Sequence, residues 1–309
     1  MTANFMFVSD DKYVKNLGVC SFSVMQNMCP VVDRLRIFVM DCGITEENRE
    51  RLTRQAARFE NAEMVFYDIN EKLSEVVPKV PTKWHRAIYG RLFLVDILDR
   101  FDDMERVVYL DSDILMDQPV TELFTMDMQG KCIAGVADAD SYERKRALGM
   151  AEESAYINSG VLLIDTVRWA ALDASQRIID YINGFPKELL YPDQDAINYI
   201  LCDEILLLPP EYNMMWMICD SDIPKIMRNI DHFYYSAEEL KHALHHVKIC
   251  HFAGHDMWTF YGITPIPAKI FKKYRSGSDW RKEKRHFNRV SECLLWLMMS
   301  VKRMMVGEW

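Results

Sequence analysis

Asp111-Ser112-Asp113 follows directly on the apolar run Val107-Val108-Tyr109-Leu110. Alternate residues of an extended chain face the same side. Two carboxylates so placed can share one hard divalent cation, with water and phosphate oxygens filling its remaining positions. The same residues also suit a turn whose aspartates accept local backbone N–H groups. The pair alone does not separate the two readings.

His251 is the second candidate, in Cys250-His251-Phe252-Ala253-Gly254 after another apolar run. A histidine there can be a hydrogen-bonded structural residue, or a neutral imidazole completing a Mn²⁺-type site with two carboxylates. Gly254 would let backbone approach an anionic ligand closely. Trp84-His85 and His245-His246 have no carboxylate partner suggested by sequence. The third stretch is Tyr156-Ile157-Asn158-Ser159-Gly160-Val161-Leu162-Leu163-Ile164-Asp165, a polar turn feeding a buried strand, with the Asn158 amide at its start. The fourth, Tyr191-Pro192-Asp193-Gln194-Asp195-Ala196-Ile197-Asn198, reads as a helix start with Asp193 as N-cap and Asp195 in the first turn.

The elements that must position these residues alternate in type. Strands are expected at Asn4–Val8, Arg34–Met40, Met64–Tyr67 and Arg106–Leu110, and helices at Tyr13–Met28, Thr45–Phe59 and Arg86–Leu98. This alternation implies an α/β fold with a largely parallel, doubly wound sheet. Ligands of such sheets bind beyond the carboxyl ends of the strands, where Asp111 and Asp113 fall. Further strands are expected at Lys131–Val136, Gly160–Ile164, Ile205–Leu208 and Val247–Cys250, with a short helix over Asp193–Leu201. Ser276-Gly277-Ser278 reads as a joint before a tail.

Composition narrows the class. Half of the 309 residues are apolar and 27% are charged, which excludes a disordered chain, a collagen-like repeat and a small disulfide scaffold. Cysteines at 20, 29, 42, 132, 202, 219, 250 and 293 form no C-x-x-C pair, the pattern of reduced thiols in a cytoplasmic protein. No apolar stretch reaches the ~18–20 residues that span a bilayer, and the N-terminus has no secretory signal. From Lys269 onward 11 Lys and Arg stand against 4 Asp and Glu, a net of +7, which leaves −16 on residues 1–268. The acidic body argues against nucleic acid as a partner. In the tail Phe287, Val290, Leu294, Leu297, Val301 and Met304 recur at helical spacing, flanked by Arg281, Lys282, Lys284, Arg285, Lys302 and Arg303. Such a segment packs on the core or a dimer partner, or lies on an anionic membrane, which suits the basic flanks better.

Taken in order, strand-DSD, INSGVLLID, DQDAIN and HFAG resemble the glycosyltransferases of family 8 over roughly residues 4–260, as do FVSDDKYVKNLGVCSFSV, IYGRLFL and MDCGITEENR. The resemblance implies a GT-A type, Rossmann-like nucleotide-sugar-binding domain with a mixed central sheet over residues 1–268, followed by a basic amphipathic tail over 269–309. It also implies a metal-dependent retaining enzyme that moves galactose or glucose from a UDP-sugar to a glycan or glycolipid, as bacterial lipooligosaccharide and lipopolysaccharide transferases do. Residue by residue, Asp111, Asp113 and His251 match the family's ligands for Mn²⁺ or Mg²⁺. Val8, Ser9, Asp10 and Tyr13 match the uracil and ribose segment, joined at the nucleotide by Asp111, Ser112, Gly254 and His255. Arg91, Asn158, Asp193 and Gln194 match donor-hexose positions, and Gln194 is the candidate catalytic stabiliser. The expected location is cytoplasmic, peripheral on the inner face of the membrane.

One departure stands out. The family loop commonly runs His-Phe-x-Gly-x-x-Lys-Pro-Trp, whereas His251-Phe252-Ala253-Gly254-His255-Asp256-Met257-Trp258 is a residue shorter and has no lysine. Stabilisation of the leaving diphosphate then falls on the metal, on a protonated His255, or on a residue from elsewhere. The competing reading is a non-catalytic nucleotide-sugar-binding protein of the same fold. Phosphatases with an aspartyl nucleophile also open on a strand and D-x-D, but carry Thr or Val where Leu115 stands and lack three preceding strand–helix units. A nucleotidyltransferase would place glycines near Val8-Ser9-Asp10-Asp11, where there are none.

Overall fold

A computed structural model describes residues 1–80, 82–98, 101, 103–220, 234–253, 257–258 and 265–284. Its centre is a seven-stranded sheet in the order β3-β2-β1-β4-β7-β6-β8, where β1 is Thr2–Ser9, β2 Arg34–Asp41, β3 Ala62–Asp68, β4 Arg106–Leu110, β6 Ile133–Gly135, β7 Val161–Asp165 and β8 Ile205–Leu207. β1 to β4 run parallel, and β6 runs parallel to β8. β7 is antiparallel to both of its neighbours, so the sheet is mixed. A smaller sheet joins β5 (Ile114–Met116), β10 (Ile249–His251) and β9 (Met214–Met215) in the order β5-β10-β9, with β10 antiparallel to β5 and parallel to β9.

β1 is apolar on both faces because both are covered. Phe5 and Phe7 join the core that includes Leu17, Val24 and Leu52 from the helices Val14–Met28 and Glu46–Ala56. Met6 and Val8 join the opposite core with Tyr89, Leu92, Ile178 and Ile197. The first half follows the sequence expectation closely. The run expected as one helix over Arg86–Leu98 instead winds as a 3-10 helix over Arg86–Phe93 before a short α-helix, Val95–Leu98. Gly90 lies against β1 there, so close that a Cβ would sit 2.6 Å from Val8 Cγ1.

The C-terminal side differs at the expected joint. The helix Pro265–Gly277 runs through Ser276 and Gly277, and Ser278 is fully buried. A Cβ on Gly277 would fall 2.6 Å from Phe22 Cε1, so this is a packed helix end rather than an open link. Phe271, Tyr274 and Trp280 belong to the same core as Leu17 and Phe22. Trp280 covers Gly18, where a Cβ would come within 2.2 Å of its ring, and Arg51 stacks on it at 4.3 Å. Packing therefore continues past residue 268, to Trp280. The apolar stripe from Phe287 to Met304 lies outside the described residues, as does Cys293. Among the described residues no helix is long and apolar enough to cross a membrane, and the described cysteines are free thiols.

Candidate active site

Asp111-Ser112-Asp113 is the turn between β4 and β5. Ser112 Oγ donates to Val8 O at 2.9 Å, which ties the turn to the carboxyl end of β1. The Asp111 N–H donates to Gly160 O at 2.8 Å, which ties it to the loop entering β7. β5 turns back against β10, pairing Ile114 with His251, and the Phe252 N–H donates to Asp113 O at 3.0 Å. This register carries His251, the last residue of β10, to the two aspartates across a long stretch of chain. Its Nε2 lies 3.4 Å from Asp113 Oδ1.

The other edge of the imidazole meets Asn213 Oδ1 at 2.9 Å. An amide oxygen only accepts, so Nδ1 carries a proton, and in the neutral ring it is Nε2 whose lone pair faces the carboxylates. Burial lowers the proton affinity of His251, the adjacent Asp113 carboxylate raises it, and the net shift is upward. One ligand atom from each of Asp111, Asp113 and His251 lies within 4.8 Å of the others. Donors each ~2.0–2.6 Å from one ion lie no more than about 5 Å apart. Two hard carboxylates and an imidazole with an oriented second nitrogen fit Mn²⁺ or Mg²⁺. Gly160 explains why the backbone can pass beside them, since a Cβ there would sit 2.3 Å from His251 Cε1 and 3.0 Å from Asp111 Oδ2.

Arg91 organises the next layer and is only 5% exposed. Its Nη2 donates to Asp111 Oδ1 at 2.8 Å, its Nη1 to Ser159 O at 2.6 Å, and its Nε lies 3.2 Å from Asp193 Oδ2. Tyr109 OH donates to the same Asp111 Oδ1 at 2.6 Å, and the guanidinium stacks over the Tyr109 ring at 4.3 Å. Two donors thus hold Oδ1, while Oδ2 lies beside Gly160. Burial pushes the Asp193 carboxyl up, Arg91 pulls it down, and it ends above its ordinary value.

Asp193 and Gln194 stand in the first turn of the helix Pro192–Ile200, where Tyr191, rather than Asp193, is the N-cap and Pro192 occupies the first turn. Proline suits that position because it lacks the N–H that would go unpaired there. Gln194 Oε1 accepts from the Ser159 N–H at 3.0 Å and Asn158 Nδ2 at 3.3 Å, while its Nε2 donates to Asp138 Oδ2 and Tyr156 OH, both at 3.2 Å. Asn158 also donates to Asp138 Oδ2 at 2.9 Å, and its own Oδ1 accepts from Asn213 Nδ2 at 2.9 Å.

The nucleotide candidates divide. Val8 and Ser9 are buried at the end of β1. Asp10 Oδ1 accepts from the Tyr13 N–H at 2.9 Å, and Tyr13 is exposed. Gly254 and His255 lie outside the described residues. Asp138 and Asn213 lie outside the motifs, and Tyr109 and Tyr156 lie inside them without an assigned role. Asp138 had a weaker signal, since Asp138-Ala139-Asp140 is separated from β6 by two residues, whereas Asp111-Ser112-Asp113 directly follows β4. Asn213 had none, because only the pairing of β10 with β9 brings its neighbourhood to His251.

The sequence profile of glycosyl transferase family 8 matches residues 4–257, most of the chain and every part of this site. The chain belongs to glycosyl transferase family 8. It is similar to general stress protein A of Bacillus subtilis, at 28% identity over 207 residues that cover 66% of this chain and 71% of that protein. It is also similar to the lipopolysaccharide 1,2-glucosyltransferase of Escherichia coli K12, at 23% identity over 283 residues, 91% of this chain and 79% of that one. Among solved structures, the galactosyltransferase LgtC in complex with donor and acceptor sugar analogues superposes with a TM-score of 0.69 at 21% identity, over 90% of this chain and 96% of that one. The mixed sheet is therefore the GT-A fold, and the family-8 chain is a glycosyltransferase by class.

Proposed function

We propose that this family-8 protein is a metal-dependent retaining hexosyltransferase that moves galactose or glucose from a UDP-sugar to a glycan or glycolipid acceptor. The observation that carries the reading is the convergence of Asp111, Asp113 and His251 within 4.8 Å at the carboxyl edge of the sheet. These three residues would hold Mn²⁺ or Mg²⁺, which would supply positive charge against the leaving diphosphate. Val8, Ser9, Asp10, Tyr13 and Ser112 are assigned to the nucleotide, with Gly254 and His255 from the loop after β10. Arg91, Asn158, Asp193 and Gln194 are assigned to the hexose.

Breaking the bond between the anomeric carbon and phosphate oxygen leaves the sugar with oxocarbenium character. Gln194 is a poor nucleophile, so we assign it the role of stabilising that positive charge through its amide oxygen, while the acceptor hydroxyl attacks from the face that UDP leaves and gives up its proton to the departing phosphate oxygen. Retention follows without a carboxylate nucleophile. Asp193, buried with Arg91, orients a hexose hydroxyl. The lipopolysaccharide glucosyltransferase named among the relatives supports a cell-surface saccharide as acceptor. We further assign the basic segment that follows the packed helix Pro265–Gly277 to the cytoplasmic face of an anionic membrane, peripheral rather than spanning.

A screen of UDP-sugars with Mn²⁺, read by UDP release and by the anomeric configuration of the product, tests the reading. Release from UDP-galactose or UDP-glucose with retained configuration supports it. Binding without any release marks the protein as a nucleotide-sugar binder, and an inverted product removes the same-face route.

A further inference from the structure

Asp195, one residue beyond Gln194, is fully buried and carries a polar network of its own. Arg144 grips it with both arms, Nε to Oδ1 at 3.1 Å and Nη2 to Oδ2 at 2.5 Å. The Tyr191 N–H adds a third donor, at 3.1 Å from Oδ2. Tyr156, also fully buried, places its hydroxyl 2.6 Å from Asp195 Oδ1 and 3.2 Å from Gln194 Nε2.

Donor and acceptor rules set the direction of every proton in this chain. A carboxylate paired with arginine only accepts, so the Tyr156 O–H points at Asp195. Only oxygen lone pairs are then left toward Gln194, and the Gln194 group facing Tyr156 must be the NH₂. Burial and the neighbouring Asp195 carboxylate push the Tyr156 phenol well up, so this proton stays in place across the working range. Asp138 Oδ2 and the Ser159 N–H select the same orientation from the two ends of the amide.

We propose that Arg144, Asp195 and Tyr156 are positioning residues for Gln194, which fix the end of its amide that meets the donor hexose. The inference rests on the assignment of Gln194 as a hexose contact. A reversed amide would direct N–H donors where positive charge develops, a cost met in the transition state and not on donor binding.

Tyr156→Phe removes the hydroxyl, keeps the ring and leaves the Arg144–Asp195 pair whole. Turnover of the UDP-hexose that the protein uses should fall about tenfold or more, with KM and UDP affinity changed by less than about threefold. Arg144→Lys, which keeps charge but not the two-armed grip, should lower turnover in the same pattern and by less. In a Gln194→Ala background Tyr156→Phe should change turnover by less than about twofold, since its route of action is gone. Wild-type turnover in Tyr156→Phe overturns the inference. So does a rise in KM with turnover unchanged, or an equal loss in both backgrounds, which a purely structural role would give. If Gln194→Ala turns over too slowly to read, the split between turnover and KM decides alone. No turnover by the unsubstituted protein with any UDP-hexose overturns the donor assignment itself, before any variant is compared.

Discussion

His251 Nδ1 and Asn213 Oδ1 stand 2.9 Å apart, on the edge of the imidazole opposite the one that faces Asp113. This contact selects the tautomer whose Nε2 lone pair is available to a cation, and it holds the ring plane. Such partners of a ligating histidine contribute roughly 10–100-fold to metal affinity. Asn213→Ala should therefore weaken Mn²⁺ binding by about that factor. Calorimetric titration with Mn²⁺ checks it, and unchanged affinity would show that His251 is held by packing alone.

The pH dependence follows from the upward shift of His251, which burial opposes and Asp113 drives. A proton on Nε2 and a metal ion compete for one lone pair. Mn²⁺ affinity should rise with pH and level off only above the raised His251 value, falling about tenfold per pH unit below it. Stability of the metal-free protein runs the other way. The contribution of the protonated ring is fully present below the ordinary histidine value of 6.5 and is lost as pH rises through the higher folded value. Mn²⁺ titrations and metal-free melting curves between about pH 5.5 and 8.5 check both signs. Affinity independent of pH over that range contradicts the assignment.

Arg91 neutralises two carboxylates from different elements, and its side chain and that of Asp193 are 6% and 9% exposed. Removing one partner of a buried ion pair typically costs about 3–5 kcal/mol because a charge is left unpaired. Arg91→Met should lower stability by about that amount in urea denaturation, and Arg91→Lys should recover only part, since one ammonium cannot replace the forked contacts to Asp111, Ser159 and Asp193. A neutral Arg91→Met would mean that Asp193 is protonated in the folded protein.

The basic tail offers a separable test. Protein truncated after residue 284 should keep UDP-hexose hydrolysis while losing flotation with anionic vesicles, and flotation of the full chain should weaken with added salt. Equal flotation of both forms would assign the segment to the core or to a dimer contact.

Much of this was legible in the primary structure. The runs Arg34–Met40 and Arg106–Leu110 lie in strands at nearly their expected bounds, because apolar residues covered on both faces leave an unbroken signal. Asp111 and His251 were legible because each ends such a run. What escaped depends on pairing across long stretches of chain. β5 is only three residues and becomes a strand through β10, and Asn213 acquires meaning only where β9 meets the same strand. The helix Ala174–Gly184 was missed, although Ile178, Ile179 and Ile182 form its buried stripe. The tight winding of Arg86–Phe93 and the buried Ser278 reflect close contacts of Gly90 and Gly277 with Val8 and Phe22, which no local pattern announces.

Asp111, Asp113 and His251 are proposed to hold the ion on which transfer from a UDP-hexose depends. The most direct measurement compares UDP release from UDP-galactose and UDP-glucose by the unsubstituted protein and by Asp113→Asn, each with Mn²⁺ and after chelation. Release should require Mn²⁺ and be lost, by about 10²-fold or more, in Asp113→Asn that still melts cooperatively. Release that survives both chelation and Asp113→Asn would contradict it.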